Sequence, residues 1–163
     1  MSATDFKTTL LVDQTPAEVF AAVTNVRGWW SEEIEGGTAK LNDEFTYHFE
    51  DVHRSRFKLT EVIPNEKVVW LCLENYFKFT ADEKEWTGDQ MVFEILKEEG
   101  KTRLTFTQVG LNSEYECFDI CQNAWTNYIQ NSLYKLITTG RGEPNAKGTA
   151  RTKDEEKFLS GEK

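Results

Sequence analysis

The chain has 163 residues, of which 39% are hydrophobic, 13% aromatic and 29% charged, and its formal net charge is -9. This length suits one domain with a single core. The acidic balance excludes partners built on phosphate backbones, so we expect no nucleic acid. No apolar run approaches the roughly 20 residues of a membrane span. No signal-peptide pattern opens the chain either, so we expect a cytoplasmic protein.

The N-terminal part of the chain predicts a strand followed by a helix. Residues 6–12 mostly alternate in polarity, which indicates a strand. Thr15 then fits the N-cap of a helix, Pro16 its first position, and Glu18 completes a capping box. Gly28 is placed to end this helix in the left-handed conformation.

Residues 34–106 carry strand signals almost throughout. Short runs that alternate apolar and polar side chains are separated by turn sequences such as PNEK and EEGK. This pattern predicts an antiparallel meander with one apolar face and one solvated face. Residues 76–88 interrupt it as a long, acidic connection, which we expect to be solvated or, alternatively, to cover a cavity.

A second, long helix is predicted from a capping-box pattern at Ser113 and Glu116 to a stop at Gly140. Apolar residues recur three and four positions apart along it, which marks one buried face. About 25 residues at 1.5 Å each give a helix of about 37 Å, long enough to cover a sheet. The polar residues 141–163 predict a flexible tail after a single domain, residues 1–140.

The order strand, helix, antiparallel strands and long helix predicts an α+β fold, a curved sheet of about six to seven strands wrapped around the C-terminal helix. A strongly curved sheet and a straight helix cannot touch along their whole length, so a cavity between them is expected. Trp29 is expected to pack back on the first helix. Trp30 should then point toward the open end of the cavity.

The inward-facing side chains either line an apolar pocket or fill a solid core. The candidate cavity residues are Trp30, Tyr47, Phe49, Phe57, Trp70, Met91, Phe93, Phe106, Trp125, Tyr128 and Ile129.

Catalytic and metal-binding patterns are weak in this sequence. No nucleophile elbow, phosphate loop or metal motif is present, and the two histidines lack zinc-site spacing, so we expect no metal and no cofactor. His48 near Glu50 and His53 near Asp51 are the candidate bases with a neighbouring acid. His48 is expected to face solvent.

An ion pair inside the cavity is a further possibility that the sequence leaves open. Arg56, Glu61 and Glu74 would enter the cavity only if a strand twisted or bulged. A buried pair of this kind would mark a site, because buried charges need partners.

Four segments, in order, resemble a known family. They are TPAEVFAAVTNVRGWW, LTEVIPNEKVVWLC, GKTRLTFTQVGL and AWTNYIQNSLYKLITTGRGEP, within residues 5–144. The chain resembles the START-like, helix-grip superfamily called SRPBCC, and within it the C-terminal domain of the activator of heat-shock protein 90 ATPase. This resemblance implies the helix-grip fold, as in birch-pollen allergens, and favours the pocket over the solid core. Because the first strand is predicted to begin at about residue 6, we expect no counterpart of the separate N-terminal domain of the eukaryotic co-chaperones.

Three functions follow as hypotheses. The first is non-catalytic binding of a small hydrophobic or lipid-like molecule, motivated by the aromatic content and the order of elements. The second, implied by the resemblance alone, is interaction with a chaperone. The third, also implied by the superfamily, is a cyclase, dehydratase or hydrolase, which would need ionisable groups inside the cavity.

Overall fold

The computed structural model describes residues 5–31, 34–49, 53–77, 86–112, 115 and 118–144, with the side chains of Phe49 and Phe77 excepted. Its strands and α-helices are β1 (Phe6–Val12), α1 (Pro16–Thr24), β2 (Glu35–Gly36), β3 (Glu44–Phe49), β4 (His53–Ile63), β5 (Lys67–Phe77), β6 (Gln90–Glu98), β7 (Lys101–Val109), α2 (Phe118–Thr126) and α3 (Tyr134–Thr139). A 3₁₀ turn follows α1 (Val26–Gly28), and a π-helical segment joins α2 to α3 (Asn127–Leu133).

The strands form one seven-stranded sheet in the order β1-β7-β6-β5-β4-β3-β2. Every ladder is antiparallel. Tight turns join β4 to β5 and β6 to β7, while β1 crosses over to pair with β7 at the edge. The curved sheet and the long C-terminal helix confirm the predicted α+β helix-grip fold.

One face of the sheet is buried, as the alternating pattern predicts. In β6, Met91, Phe93 and Ile95 are buried while Glu94 between them is exposed. The β4–β5 ladder shifts register twice, between Arg56 and Phe57 and between Leu59 and Glu61. Such bulges add local twist and bend the strands, which helps the sheet curve over the helix.

Helix α1 begins as predicted but does not end as predicted. Thr15 Oγ1 accepts the backbone N–H of Glu18, and the Glu18 side chain bonds back to Thr15, so the capping box is confirmed. The prediction for Gly28 is wrong, because α1 already ends at Thr24 and the chain continues into the 3₁₀ turn. A Cβ at this position would lie 2.5 Å from Nδ2 of Asn25, so a larger residue would require the Asn25 side chain to move.

The C-terminal helix runs over residues 118–139 and changes its hydrogen-bond pattern in the middle. It stops at Gly140, whose φ of 85° confirms the left-handed stop. The capping-box residues Ser113 and Glu116 lie outside the described residues. No helix in the described part of the chain is long and apolar enough to cross a membrane.

The chain segment after Gly140 returns to the helix. The Glu143 backbone N–H donates to Ser132 Oγ at 2.8 Å, and that hydroxyl donates to the Trp29 carbonyl at 2.7 Å. The Glu143 carboxylate also accepts from Lys135 at 2.8 Å. Residues 141–144 therefore tie the C-terminal helix to the tryptophan turn, while residues 145–163 of the predicted tail lie outside the described part of the chain.

Candidate functional site

The aromatic side chains that the sequence places in the interior come together there. All of the candidate cavity residues except Phe49 are at most 2% exposed and share one core, and the Phe49 side chain lies outside the described part of the structure. Their rings contact one another; Trp70, for example, lies 4.8 Å from Phe93 between ring centroids. That these side chains line a ligand cavity stays a prediction.

Both members of the tryptophan pair are buried. Trp29 is inaccessible to solvent, and its indole N–H donates to the Val23 carbonyl at 3.2 Å, so it packs on the last turn of α1 as expected. Trp30, which the sequence places toward the open end of the cavity, is 2% exposed. Its ring stacks on Tyr47 at 4.1 Å and lies nearly parallel to Trp70 at 5.8 Å.

A chain of three polar side chains lies on the inner face of β4 and β5. Ser55 and Asn75 are paired across the ladder and are 1% and 6% exposed. Ser55 Oγ donates to Asn75 Oδ1 at 2.6 Å, and His53 Nε2 lies 2.8 Å from Ser55 Oγ. Because the single hydroxyl proton of Ser55 goes to Asn75, His53 Nε2 must be the donor to Ser55. We call His53, Ser55 and Asn75 the polar relay.

The relay histidine is half-buried and packs against two aromatic rings. The His53 ring meets Tyr47 edge to face at 4.9 Å and meets Trp86 at 4.9 Å with an interplanar angle of 88°. Burial lowers the pKa of His53 to about 3, because the imidazolium would lose its hydration there, and a hydrogen bond with Asn75 only partly opposes this shift. At neutral pH the relay is therefore uncharged.

The relay does not have the arrangement of an activated serine. A nucleophilic serine gives its proton to a histidine whose other nitrogen is oriented by an acid. Here Ser55 gives its proton to Asn75, and the pKa of His53 is too low for a general base near neutral pH. The geometry suits fixed, neutral hydrogen bonding rather than proton abstraction.

A second buried network positions the Trp125 ring. The Trp125 indole N–H donates to Gln108 Oε1 at 2.7 Å, and Gln108 Nε2 donates to Asp89 Oδ2 at 2.9 Å. The Tyr115 hydroxyl donates to the other Asp89 oxygen at 2.8 Å. Gly110 leaves room for this carboxylate, since a Cβ there would lie 2.2 Å from Asp89 Oδ1. These bonds fix the face that Trp125 presents to the interior.

The possible ion pair of Arg56 forms on the outside of the sheet. Arg56 lies 3.3 Å from Glu44 and 3.7 Å from Glu74, and the three side chains are 45%, 43% and 73% exposed. Glu61 pairs with Lys67, also at the surface. The strand does bulge next to Arg56, but the guanidinium stays on the solvated face. The idea that these residues charge the cavity is therefore wrong.

A depression of about 410 Å³ lies on that outer face, beside Arg54, Arg56 and Tyr76. Ser55 and Asn75 also line it, so the polar relay lies just beneath this surface.

Sequence reasoning missed Trp86, Ser55 and Asn75 as interior residues. Trp86 lies in the acidic connection that we expected to be solvated, yet it is 3% exposed and stacks on Trp125 at 5.7 Å. Ser55 precedes the inward Phe57 by two positions, so strand alternation could have identified it as an inward polar group. Within the described ranges, no three His, Cys, Asp or Glu side chains form a group that could hold a metal ion.

Comparison with solved structures supports the fold. The Aha1 dimer from Colwellia psychrerythraea, solved in solution, is 20% identical with a TM-score of 0.67, over 85% of this chain and 99% of that one. SSP2350 from Staphylococcus saprophyticus is 15% identical with a TM-score of 0.64, over 88% and 98%. DynU16, from the dynemicin biosynthetic locus, is 15% identical with a TM-score of 0.63, over 85% of this chain and 49% of that one. At such identities the likeness concerns the fold.

Comparison at the level of sequence gives the family. No curated protein matches the chain. The family model described as Activator of Hsp90 ATPase homolog 1-like protein matches residues 13–138, which is most of the chain. Because this match covers most of the chain, the chain belongs to the Activator of Hsp90 ATPase homolog 1-like family.

Proposed function

We propose that this protein binds a small, largely apolar molecule, hydrophobic or lipid-like, in the interior between the sheet and the C-terminal helix, without catalysing a reaction. The observation that carries this proposal is the polar relay, which places neutral hydrogen-bonding groups against aromatic walls. Ligand sites of small molecules have this composition, mostly apolar with a few fixed polar groups.

The relay adds a side-chain hydrogen bond between β4 and β5 at a residue pair that is already joined. The backbone ladder already pairs β4 with β5 at Ser55 and Asn75. Because its three side chains bond to one another, the relay avoids the cost of about 1–3 kcal/mol that a buried polar group without a partner carries. These groups support a binding role over a purely structural one.

Native mass spectrometry of freshly purified protein, compared with its denatured mass, tests the proposal. We expect an added mass in the native state that disappears on denaturation. Ser55→Ala should lower its occupancy, since the relay loses its central link. Thr46→Ala, a polar truncation on the outer face of the neighbouring strand β3, is the matched control and should retain the ligand. The proposal would be contradicted if the native mass equalled the denatured mass and the protein did not bind a neutral fluorescent probe such as N-phenyl-1-naphthylamine.

Interaction with a chaperone is the second candidate, because the family model matches residues 13–138. It predicts a detectable complex with a heat-shock protein 90 from the same source and stimulation of its ATPase. Absence of both the complex and the stimulation would remove this candidate. The neutral relay gives no support to the third hypothesis, an enzyme of the cyclase, dehydratase or hydrolase type.

A further inference from the structure

The Trp86 indole fills a flat space between the sheet and the C-terminal helix. Two rings border this space: His53, whose centroid lies 4.9 Å from that of Trp86 at an interplanar angle of 88°, and Trp125, which stacks on Trp86 at 5.7 Å and 15°. We call this space the indole slot. Because Trp86 stacks nearly parallel to Trp125, the Trp125 wall of the slot matches a flat ring. A flat fused ring system is therefore the shape that it accepts.

The occupant of the indole slot comes from a turn rather than from a strand or helix. Trp86 opens the turn that precedes β6, and this turn is held by its backbone. The Asp89 N–H donates to the Trp86 carbonyl at 2.9 Å, and the Gly88 N–H donates to the Cys72 carbonyl at 2.9 Å. Rotation of the Trp86 side chain out of the slot leaves both of these bonds in place. A ligand ring in the slot would cover the same surfaces of His53 and Trp125 that Trp86 covers. Replacing Trp86 by the ligand therefore exchanges one set of aromatic contacts for another.

The surroundings of the slot favour an uncharged ligand. No lysine or arginine is among the buried side chains of the described residues. The nearest wall is the polar relay, whose histidine is neutral because burial lowers its pKa to about 3. The Asp89 carboxylate, which is 7% exposed, lies behind Trp125 in the Gln108 network. An anionic group brought inside would lose its hydration without gaining a cation.

We propose that the indole slot is the ligand site of this protein, and that its ligand is an uncharged, planar molecule of two fused rings which binds in place of Trp86. The proposal rests on the proposed function, because it names where and what the interior binds. Trp86 acts in it as an internal competitor. A ligand then binds only those wild-type molecules in which Trp86 has left the slot. The apparent affinity of the wild type is therefore the affinity of the open slot multiplied by the fraction of molecules that are open.

Fluorine NMR on the intact chain labelled with 5-fluorotryptophan tests the displacement directly. The chain has five tryptophans, and Trp86→Phe assigns the Trp86 signal. On saturation with 2-naphthol, we expect the Trp86 signal to move to the position of a solvent-exposed indole and the Trp125 signal to shift. The Trp70 signal should change little, since that ring lies among Trp29, Trp30 and Phe93. Binding of 2-naphthol with an unmoved Trp86 signal would overturn the proposal while the proposed function stood.

Affinity measurements test the same point without labelling. Trp86→Ala should bind 2-naphthol about tenfold or more tightly than the wild type, because the competitor is gone. Phe45→Ala is the control. It also removes a buried ring and opens a space, but this space lies beside Phe57 and Trp70, away from the relay. It should change the affinity for 2-naphthol by less than about threefold. Equal gains in both variants would show only a cavity made by mutation and would overturn the proposal. Far-UV circular dichroism confirms that each variant is folded.

The chemical class is tested with two analogues. Decahydro-2-naphthol has the hydroxyl and the size of 2-naphthol but is not flat, and 2-naphthoate is flat but anionic. Each should bind the wild type at least about tenfold more weakly than 2-naphthol. Equal affinity for 2-naphthoate would overturn the assignment of an uncharged ligand. If the wild type binds none of the probes and carries no co-purified ligand, the proposed function itself fails. Binding by Trp86→Ala alone would then show that the wild type does not release Trp86.

Discussion

Replacing His53 by glutamine should flatten the acid sensitivity of this protein. In the folded state, burial lowers the pKa of His53 to about 3, whereas in the unfolded chain the pKa of this histidine is near its ordinary value of 6.5. Between pH 3 and pH 6.5, His53 is protonated in the unfolded chain but not in the folded chain. The free energy of unfolding therefore falls as pH drops below about 6.5, by up to about 1.4 kcal/mol per pH unit from this one group. His53→Gln keeps a neutral nitrogen donor for Ser55 but cannot titrate.

The size of the effect follows from the two pKa values. From pH 7 to pH 4.5 the wild type should lose about 2 to 3 kcal/mol more than His53→Gln, although the variant starts less stable because it lacks the ring contacts with Tyr47 and Trp86. Urea unfolding followed by tryptophan fluorescence at several pH values gives this difference, in which all other titrating groups cancel. His48→Gln, on the outer face of the neighbouring strand, controls for the loss of any histidine. Parallel curves for wild type and His53→Gln would refute the lowered pKa of His53 in the folded protein.

Three further outcomes are expected elsewhere in the fold. Burial raises the pKa of Cys72 to about 12, with the Asp89 carboxylate adding to the shift, so native protein at pH 8 should leave Cys72 unmodified by iodoacetamide, as read by peptide mass spectrometry, and unfolded protein should not. Thr15→Ala removes the capping box and should cost about 1 kcal/mol in urea unfolding. Gly110→Ala should destabilise more than Gly100→Ala: both positions have positive φ, but only at Gly110 would a Cβ meet Asp89, at 2.2 Å.

The parts of the fold that the sequence predicts well are those fixed by neighbouring residues. The capping box needs only Thr15 and Glu18, and the stop at Gly140 needs only one left-handed residue. The end of α1 was mispredicted because distant groups decide it. The Arg27 side chain donates to the carbonyls of Ile34 and Gly36, at 2.9 and 2.8 Å, and holds the chain in the 3₁₀ turn. No local pattern around Gly28 contains this information.

The π-helical segment shows the same limit. Its inward residues keep the predicted spacing of three and four, so the buried face is correct. The change in hydrogen bonding coincides with Ser132, which donates to the Trp29 carbonyl from across the fold and accepts from the backbone of Glu143. A heptad-like pattern cannot distinguish this serine from any small residue on a helix.

For the candidate site, strand alternation predicts the walls but not the occupant. Side chains alternate between the two faces of a strand, which predicts that Phe57 and Phe93 face the interior, and both are buried in the structure. Trp86 stands in a run of charged residues, where composition indicates solvent. Its burial depends on a turn held by backbone bonds to Cys72 and on the space left between His53 and Trp125. Both conditions exist only after the sheet and helix have come together.

The two candidate functions make different demands on the surface, and this separates them. A protein partner contacts exposed groups, whereas Ser55 and Asn75 are 1% and 6% exposed and lie beneath the sheet. A substitution such as Ser55→Ala can then alter chaperone stimulation only through the stability of the fold or through a bound ligand. A surface change such as Leu96→Ser, at a residue that is 61% exposed, should leave interior binding intact. If Ser55→Ala lost the ligand and chaperone stimulation together at unchanged stability, the small molecule would be acting as an effector of the chaperone interaction, and the two functions would be one.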